Sequence, residues 1–363
     1  MPYTSPLPIR VGIIGVHPAK GWAAMAHIPA LQRLPQYTIT ALSHHYPATA
    51  RAAAQQFGVP LAFDSAADLV AHPEVDLVVV AVKVPRHLEL VSLAIAAGKA
   101  VFSEWPLGTS LAEAEAMRAL ARSAGAATSI GLQTRSAPAF VHARELLRSG
   151  YVGKVLSATM IGSGIIWGEA MNEMYAYTLD PATGAGMLNV PFAHSLDGLL
   201  HVLGARVDTL AGMMGNARKS TRILETGAEE PMAVADQILL AGQLDNGAAL
   251  SVHFRGGLSR ATNFHVEING TEGDLVITSP VGYVGVGGMR IEGARGDEAL
   301  HELAIPEGYA AHGAEGPAQL VASAYVQLAQ DLARGTSEGP DFDDAVSLHQ
   351  LIDAVARNTE AMK

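Results

Sequence analysis

The sequence predicts two fold classes in one chain. An N-terminal α/β domain on a doubly wound parallel sheet is followed by an α+β domain with a large open, mainly antiparallel sheet. Three observations carry that expectation. Apolar strand-like runs alternate with helical patterns as far as about residue 132, the order that builds a parallel sheet covered on both faces. The first of these runs passes through glycines directly into a helix. Beyond residue 133, long strand candidates follow one another across hairpin turns with few helices between them, the pattern of an antiparallel sheet with its helices to one side.

The bulk composition agrees with two globular domains. The 363 residues divide at 1–132 and 133–363, with packing of the C-terminal helices back on the first domain as an option. A hydrophobic content of 49% and a mean hydropathy of +0.21 describe compact cores. A net charge of -11, with no run among the 24 Lys and Arg residues, argues against a nucleic-acid surface, because phosphate binding needs clustered cations. The absence of Cys removes disulfides, thiolate metal sites and cysteine nucleophiles and suits a reducing compartment. MPYTSPLPIR is not a basic start before an apolar core, and no uninterrupted apolar run is long enough to span a membrane. A cytoplasmic chain with no membrane partner is therefore expected.

In chain order, Ile9 to Val16 is a short apolar run of the kind found in buried parallel strands. Gly15 frees the turn after it, and Gly21 opens a helix from about Trp22 to Leu34. The G-x-G-x-x-G fingerprint of a dinucleotide turn is stretched: Gly12, Gly15 and Gly21 remain, with His17-Pro18-Ala19-Lys20 inserted. Such a turn cradles a pyrophosphate or serves packing alone. Tyr37 to Ser43 is the second strand and ends in Ser43-His44-His45. An acidic residue at that strand end takes the ribose hydroxyls in NAD proteins, and none is present. Ser43 and His44 leave room for a 2′-phosphate, so NADP is slightly favoured over NAD.

Helices follow at Ala48–Phe57 and Ser65–Ala71 around a short strand at Ala62-Phe63. Val75 to Val84 reads as a buried strand carrying Lys83 at its C-terminal end, where the ligand crevice of an open α/β sheet lies. His87 precedes a helix at Leu88–Ala97, and Ala100–Ser103 is a strand leading into Glu104-Trp105-Pro106. A helix at Leu111–Ser123 and a strand at Ala127–Leu132 complete the first domain. In the second domain a helix at Pro138–Ser149 and a strand at Val155–Ser163 precede a loop around Trp167. Pro181 to Leu203 becomes helical and sets His194 and Asp197 three apart on one face. Strands are expected at Ala233–Leu244, Ala248–Gly256 and Asn263–Asn269, irregular strands and mobile loops over 280–317, and helices at Leu320–Arg334 and Asp344–Met362. The 14 His residues contain no H-x-x-x-H or HE-x-x-H pattern, so no metal centre is expected.

The stretches VGIIGV…GW…H, VDLVVVAVKVPRHLELVSLAIAAGKAVFSEWPL and GAGMLNVPFAHSLDGLLHVLG resemble the Gfo/Idh/MocA family of oxidoreductases. The likeness spans nearly the whole chain and is most specific in AGK-x-V-x-x-E-x-P, Ala97 to Pro106. The GW after an extended turn, VKVP and EWPL look like the branch of the fungal galactose-regulon repressor. The resemblance implies an N-terminal Rossmann domain, a nicotinamide site and a C-terminal sheet used in homodimer or homotetramer formation. It also implies that Gly15, Gly21 and Trp22 match the pyrophosphate turn and that Glu104 matches a ribose contact.

Two of the family's catalytic positions are altered. Family enzymes carry Glu-Lys-Pro, with the lysine at the reacting oxygen, where this chain has Glu104-Trp105-Pro106. The helix motif usually offers Asp and then His, and the matching residues are Val190 and His194, with Asp197 at the following acidic position. Hydride transfer from an alcohol leaves a proton for a base to take, and an indole cannot take it. Trp105 can instead form an apolar wall for a sugar ring.

Two functions follow as expectations. The first is an NAD(P)-dependent oxidoreductase acting on a sugar, polyol or related hydroxy compound. It uses His194 as acid/base with Asp197, Lys83 standing in for the missing lysine, and Trp105, Trp167 and Tyr175 at the substrate. Its cofactor contacts are Gly15, Gly21, Trp22, Ser43, His44, Lys83, His87, Glu104, Trp105 and Pro106. Tyr175 and Tyr177 are further proton-donor candidates or else structural, and His27 and His87 are candidates for orienting helices or the cofactor turn. The alternative is a catalytically silent NAD(P)-binding sensor that acts through a protein partner.

Overall fold

The computed structural model describes residues 8–283, 288–310 and 313–361. They fall into two compact units, Met1–Gln133 with Ala310–His349 and Thr134–Tyr309 with Gln350–Lys363. The first unit holds six strands: β1 (Ile9–Ile14), β2 (Tyr37–Ser43), β3 (Leu61–Phe63), β4 (Leu77–Val80), β5 (Ala100–Glu104) and β6 (Thr128–Gly131). Every adjacent pair is parallel, and the order across the sheet is β3-β2-β1-β4-β5-β6. This is a Rossmann sheet. Its order reverses between β1 and β4, which places the ligand crevice outside the carboxyl ends of those strands.

The helices of this unit are α1 (Ile28–Leu31), α2 (Pro47–Phe57), α3 (Ala66–Ala71), α4 (His87–Ala96) and α5 (Leu111–Ala124). A wide π-type turn, Ala23–His27, leads into α1. Ser65 and Ser110 start α3 and α5 by accepting the amides of Asp68 and Glu113, the usual way to satisfy a donor that the helix leaves open. All four residues of β4 are fully buried, as a strand covered on both faces must be.

The second unit contains α6 (Pro138–Arg148) and α7 (Ala193–Leu203), the latter entered through a π-type turn at Leu188–Phe192. Its strands are β7 (Val155–Gly164), β8 (Ala170–Met171), β9 (Val207–Gly215), β10 (Ser220–Ile223), β11 (Glu229–Pro231), β12 (Gln237–Leu244), β13 (Ala249–Gly256), β14 (Phe264–Gly270), β15 (Gly273–Ser279), β16 (Arg290–Arg295) and β17 (His301–Glu302). Eight of them form one sheet in the order β17-β16-β15-β14-β7-β13-β12-β9. Only β7 and β13 run parallel in it, so the sheet is mainly antiparallel.

The register decides which face of that sheet is core. Leu240, Val252, Met160, Val266, Ile277 and Ile291 pair in one row across it, and all are buried. Phe140 of α6 and Phe192 before α7 meet this face at Phe264 and Phe254. Gly162 belongs to the same packing, because a Cβ there would lie 2.1 Å from the Phe254 ring. Two helices complete the chain, α8 (Pro317–Arg334) and α9 (Phe342–Ala361). Val321, Tyr325 and Leu328 of α8 share the first unit's core with Ala26, Ile28 and Leu31.

The structure corrects several expected bounds. The first helix stops at Leu31 instead of Leu34, in keeping with Pro35, which disfavours helix at the residue before it. The strand expected over Val75–Val84 covers only Leu77–Val80, and Lys83 stands beyond it at the head of a 3₁₀ turn, Val84–Arg86. Residues 233–236 precede β12 and are not strand. The strands β9 and β15 and the small sheet β11-β10-β8 had no clear pattern in the sequence. Within 280–317, β16 and β17 continue a regular ladder from β15, so the segment is not irregular strands alone. Residues 284–287, 311, 312, 362 and 363 lie outside the described residues.

Candidate functional site

In the first unit the glycine turn follows β1. Gly15 and Gly21 have φ of 90° and 93°, conformations that side chains resist. A Cβ on Gly15 would lie 2.3 Å from Val82 Cγ1, so the turn closes against the loop after β4. Gly21 is different. Nothing lies within 4 Å of the position a Cβ would take there, and the buried indole Nε1 of adjacent Trp22 has no hydrogen-bond partner. Open space at a left-handed glycine between a parallel strand and the turn into a helix lets a phosphate-bearing ligand approach the backbone.

The second-strand end is organised by backbone. Ser43, expected as a cofactor contact, is buried, and its carbonyl accepts the amides of Gly15 and Val16. Ser43 therefore shapes the turn, and His44 is the first residue of this strand end to reach the surface. Its ring stacks on His45 at 4.4 Å and meets the edge of His17 at 6.1 Å.

Of the two roles expected for His87, cofactor contact and orientation of the turn, its contacts fit the second. It is 1% exposed, with Nδ1 2.9 Å from the Pro106 carbonyl and Nε2 3.0 Å from that of Val82. Burial lowers its pKa. Its ring nitrogens each face a backbone carbonyl, with a single N–H to donate when neutral, so it spans the loop after β4 and the Trp105-Pro106 turn, whose peptide is cis. It is a positioning residue, not a ligand contact.

Glu104, at the end of β5, is held from two directions. Gln133 Nε2 donates to both carboxylate oxygens at 2.9 and 2.8 Å. His27 Nε2 lies 2.9 Å from Oε1, off the line of its N–H, which makes the contact electrostatic more than directional. Burial, Tyr37 and Glu104 all disfavour a Tyr325 phenolate, so Tyr325 stays protonated and donates to His27 Nδ1 across 2.7 Å. Gly131 is required beside this chain of contacts, since a Cβ would fall 2.8 Å from Glu104 Oε1. Sequence reading singled out His27 and Glu104 but missed Gln133 and Tyr325, because a partner 298 residues away leaves no local pattern.

Trp105 is 5% exposed and its ring lies 4.6 Å from that of His349. It is packed, and the open aromatic wall expected of it is not present. Pro106 is likewise buried. Lys83 is exposed at the start of its 3₁₀ turn.

In the second unit His194 is partly exposed on the first turn of α7. Asp197, one turn on, is 6% exposed and gripped bidentately by Arg135, Nε to Oδ2 at 2.8 Å and Nη2 to Oδ1 at 2.6 Å. That ion pair, not proton transfer, is what its geometry serves. Trp167 is 2% exposed, its Nε1 lacks a hydrogen-bond partner, and a Cβ on Gly256 would lie 2.1 Å from its carbonyl oxygen. It is a core residue and not the open substrate contact expected. Tyr175 is partly exposed, and its field helps burial to raise the hydroxyl pKa values of Tyr177 and Tyr283, the second to about 12. The structure thus adds Tyr283 to two tyrosines that the sequence had already suggested. Among the described residues, no group of three or more His, Cys, Asp and Glu could hold a metal ion.

Residues 9–132 match the oxidoreductase family with an NAD-binding Rossmann fold, GFO_IDH_MocA, and residues 138–279 match the Gal80p C-terminal domain. The galactose/lactose metabolism regulatory protein GAL80 of Saccharomyces cerevisiae is 30% identical over 301 residues, covering 78% of this chain and 69% of that protein. The chain belongs to the Gfo/Idh/MocA family, in its Gal80-like branch. A dehydrogenase of Aspergillus oryzae, aclE, is 37% identical over 206 residues, 54% of this chain and 55% of that one. The crystal structure of a super-repressor mutant of Gal80p from Saccharomyces cerevisiae superimposes with a TM-score of 0.89 at 26% identity, covering 98% of this chain and 97% of that chain. As a Gfo/Idh/MocA protein the chain has an NAD-binding Rossmann domain, and the glycine turn described above fits such a ligand. No described helix is long and apolar enough to cross a membrane.

Proposed function

We propose that this chain is an NAD(P)-dependent oxidoreductase whose first unit binds the dinucleotide and whose second unit binds a carbohydrate-like hydroxy compound. The observation that carries the reading is the turn after β1. Gly15 and Gly21 adopt left-handed conformations there, with open space at Gly21. Glu104, oriented by Gln133 and His27, is the proposed ribose contact. The GAL80 relative is named for galactose/lactose metabolism, which supports a sugar or polyol as the second ligand.

A nicotinamide held by the first unit would supply the hydride acceptor for the carbinol carbon of such a compound. His194 on α7, whose neighbour Asp197 is held by Arg135, would take the hydroxyl proton. Lys83 is the second candidate for orienting the reacting oxygen, in place of the lysine that Trp105 replaces. A positioned base contributes about 10²–10⁴-fold. With NAD or NADP and a panel of aldoses and polyols, reduced nicotinamide should accumulate, and His194→Ala should lower kcat by about that factor. Full turnover in both Lys83→Ala and His194→Ala would remove the assignment.

A second reading is favoured by one observation. Trp105 is buried against His349 where family enzymes carry the catalytic lysine, and Val190 stands at the motif's acidic position. On this reading the chain is a silent sensor that binds NAD(P) and reports it to a protein partner. Dinucleotide binding without hydride transfer across the whole panel is its signature.

A further inference from the structure

Glu104 closes β5, His27 ends the π-type turn Ala23–His27, and Gln133 opens a 3₁₀ turn, Gln133–Ser136. Tyr325 reaches the same place from α8, 298 residues beyond His27. Its ring is fully buried, with the Tyr37 and Phe102 rings 5.3 and 4.9 Å from it. Tyr37 also donates its hydroxyl to the Tyr325 carbonyl at 2.7 Å, which pins the backbone of α8 at this residue. The Tyr325 hydroxyl therefore has a set position, and what it meets there is His27 Nδ1 at 2.7 Å.

Those contacts decide where a neutral His27 carries its proton. On its other side, Nε2 lies 2.9 Å from Glu104 Oε1. A proton on Nδ1 would turn the Nε2 lone pair on a carboxylate oxygen and leave the buried phenol without its acceptor. A proton on Nε2 gives each donor an acceptor, Tyr325 O–H to Nδ1 and Nε2–H towards Oε1. Phenol and carboxylate thus favour the same tautomer, and a run of donors aimed one way polarises along its length. The run ends where the site opens: the Glu104 side chain is 13% exposed and that of His27 is not exposed at all. Gln133 holds both carboxylate oxygens from another direction.

We propose that Tyr325 is a positioning residue of the dinucleotide site: by keeping the His27 proton on Nε2, it fixes the Glu104 carboxylate in the orientation that meets a ribose. This rests on the reading that the first unit binds a nicotinamide dinucleotide. The site then depends on α8, although the match to the NAD-binding family ends at residue 132. The Rossmann stretch supplies the glycines and the acid, and a helix from near the end of the chain supplies the group that aims the acid. In Tyr325→Phe the Nδ1 atom loses its donor, the proton is free to move to it, and the exposed Nε2 lone pair repels Glu104.

The test joins nitrogen NMR of isotope-labelled histidines with calorimetric titration of NAD and NADP, both on the full chain. His27→Gln identifies the His27 signals by their loss. In the wild type those signals should place the proton on Nε2; a proton on Nδ1 overturns the proposal whether or not any variant folds. Tyr325→Phe should raise the share of the Nδ1–H form and weaken dinucleotide binding by about fivefold, the scale of one hydrogen bond. Tyr37→Phe, which removes the other phenol bond to α8, should change neither. His27→Gln sets an amide N–H near the Nε2 position with no need of Tyr325, so adding Tyr325→Phe to it should weaken binding no further. Equal losses from Tyr325→Phe in both backgrounds, or from Tyr37→Phe, mark a packing role and overturn the proposal. Full affinity in Tyr325→Phe overturns it and leaves the dinucleotide reading standing. A wild type that binds neither NAD nor NADP overturns both.

Discussion

His349 illustrates how a single side chain makes stability depend on pH. It is 2% exposed beside Trp105, its Nε2 lacks a hydrogen-bond partner, and burial lowers its pKa to about 4. An unfolded histidine titrates near 6.5. Above that pH the ring is neutral in both states, and its contribution to stability is complete. As pH falls from 6.5 towards 4 the unfolded chain takes up a proton that the native ring refuses, so stability is lost over that window, on the order of 2–3 kcal/mol. His201 acts in the same direction, its pKa lowered to about 3 by burial and then by Arg135, Arg144 and Arg148. Urea unfolding at neutral pH and at pH 5 should show the loss, and His349→Leu should reduce it. An identical pH dependence in that variant would show that the ring is not its source. Little of this was visible in the sequence, where His349 is one polar residue in a helical pattern.

Among the elements, the turn from β1 into the π-type turn Ala23–His27 carries the cofactor reading. Gly15→Ala would place a Cβ 2.3 Å from Val82 Cγ1 at a φ of 90°, and strain at such a position costs about 1–3 kcal/mol. Dinucleotide affinity measured by Trp22 fluorescence should fall at least tenfold, and unchanged affinity would separate Gly15 from the site. The glycines, the strand before them and the missing acid after Ser43 were all legible in order, because a turn is local. Where the insert packs was not legible, since the approach of His17 to His44 depends on how two parallel strands are placed side by side. His87 and Trp105 show the same limit. His87 was assigned to the start of a helix and Trp105 to a loop at a strand end, yet both prove to be buried, one between two carbonyls and the other against His349.

For the whole molecule, the face of the large sheet opposite its helices remains to be accounted for. Met213, Leu239, His253, Ile161, His265 and Thr278 pair in one row across it, none of them buried, and Met213 is 49% exposed. We propose that this face joins copies of the chain. Light scattering should give a dimer or tetramer, and Leu239→Asp should shift it towards monomer, since a carboxylate in an apolar interface costs several kcal/mol unless paired. A monomeric wild-type chain would remove the proposal.

By itself the sequence determined what depends on neighbours along the chain. It carried the alternation of strands and helices in the first 132 residues, the hairpin at Asp245-Asn246-Gly247, the motifs of the family and the departures at Trp105 and Val190. The physical reason is that periodicity, turn chemistry and motif spacing are written within a few residues. Only the tertiary structure decided which polar groups are already taken. Arg135 holds Asp197 across 62 residues, Tyr325 reaches His27 across 298, and a parallel strand pairing sets His17 against His44. Such contacts follow from sheet order and packing, which bring distant segments together with no local signature, and they determine which of the candidate residues can meet a ligand.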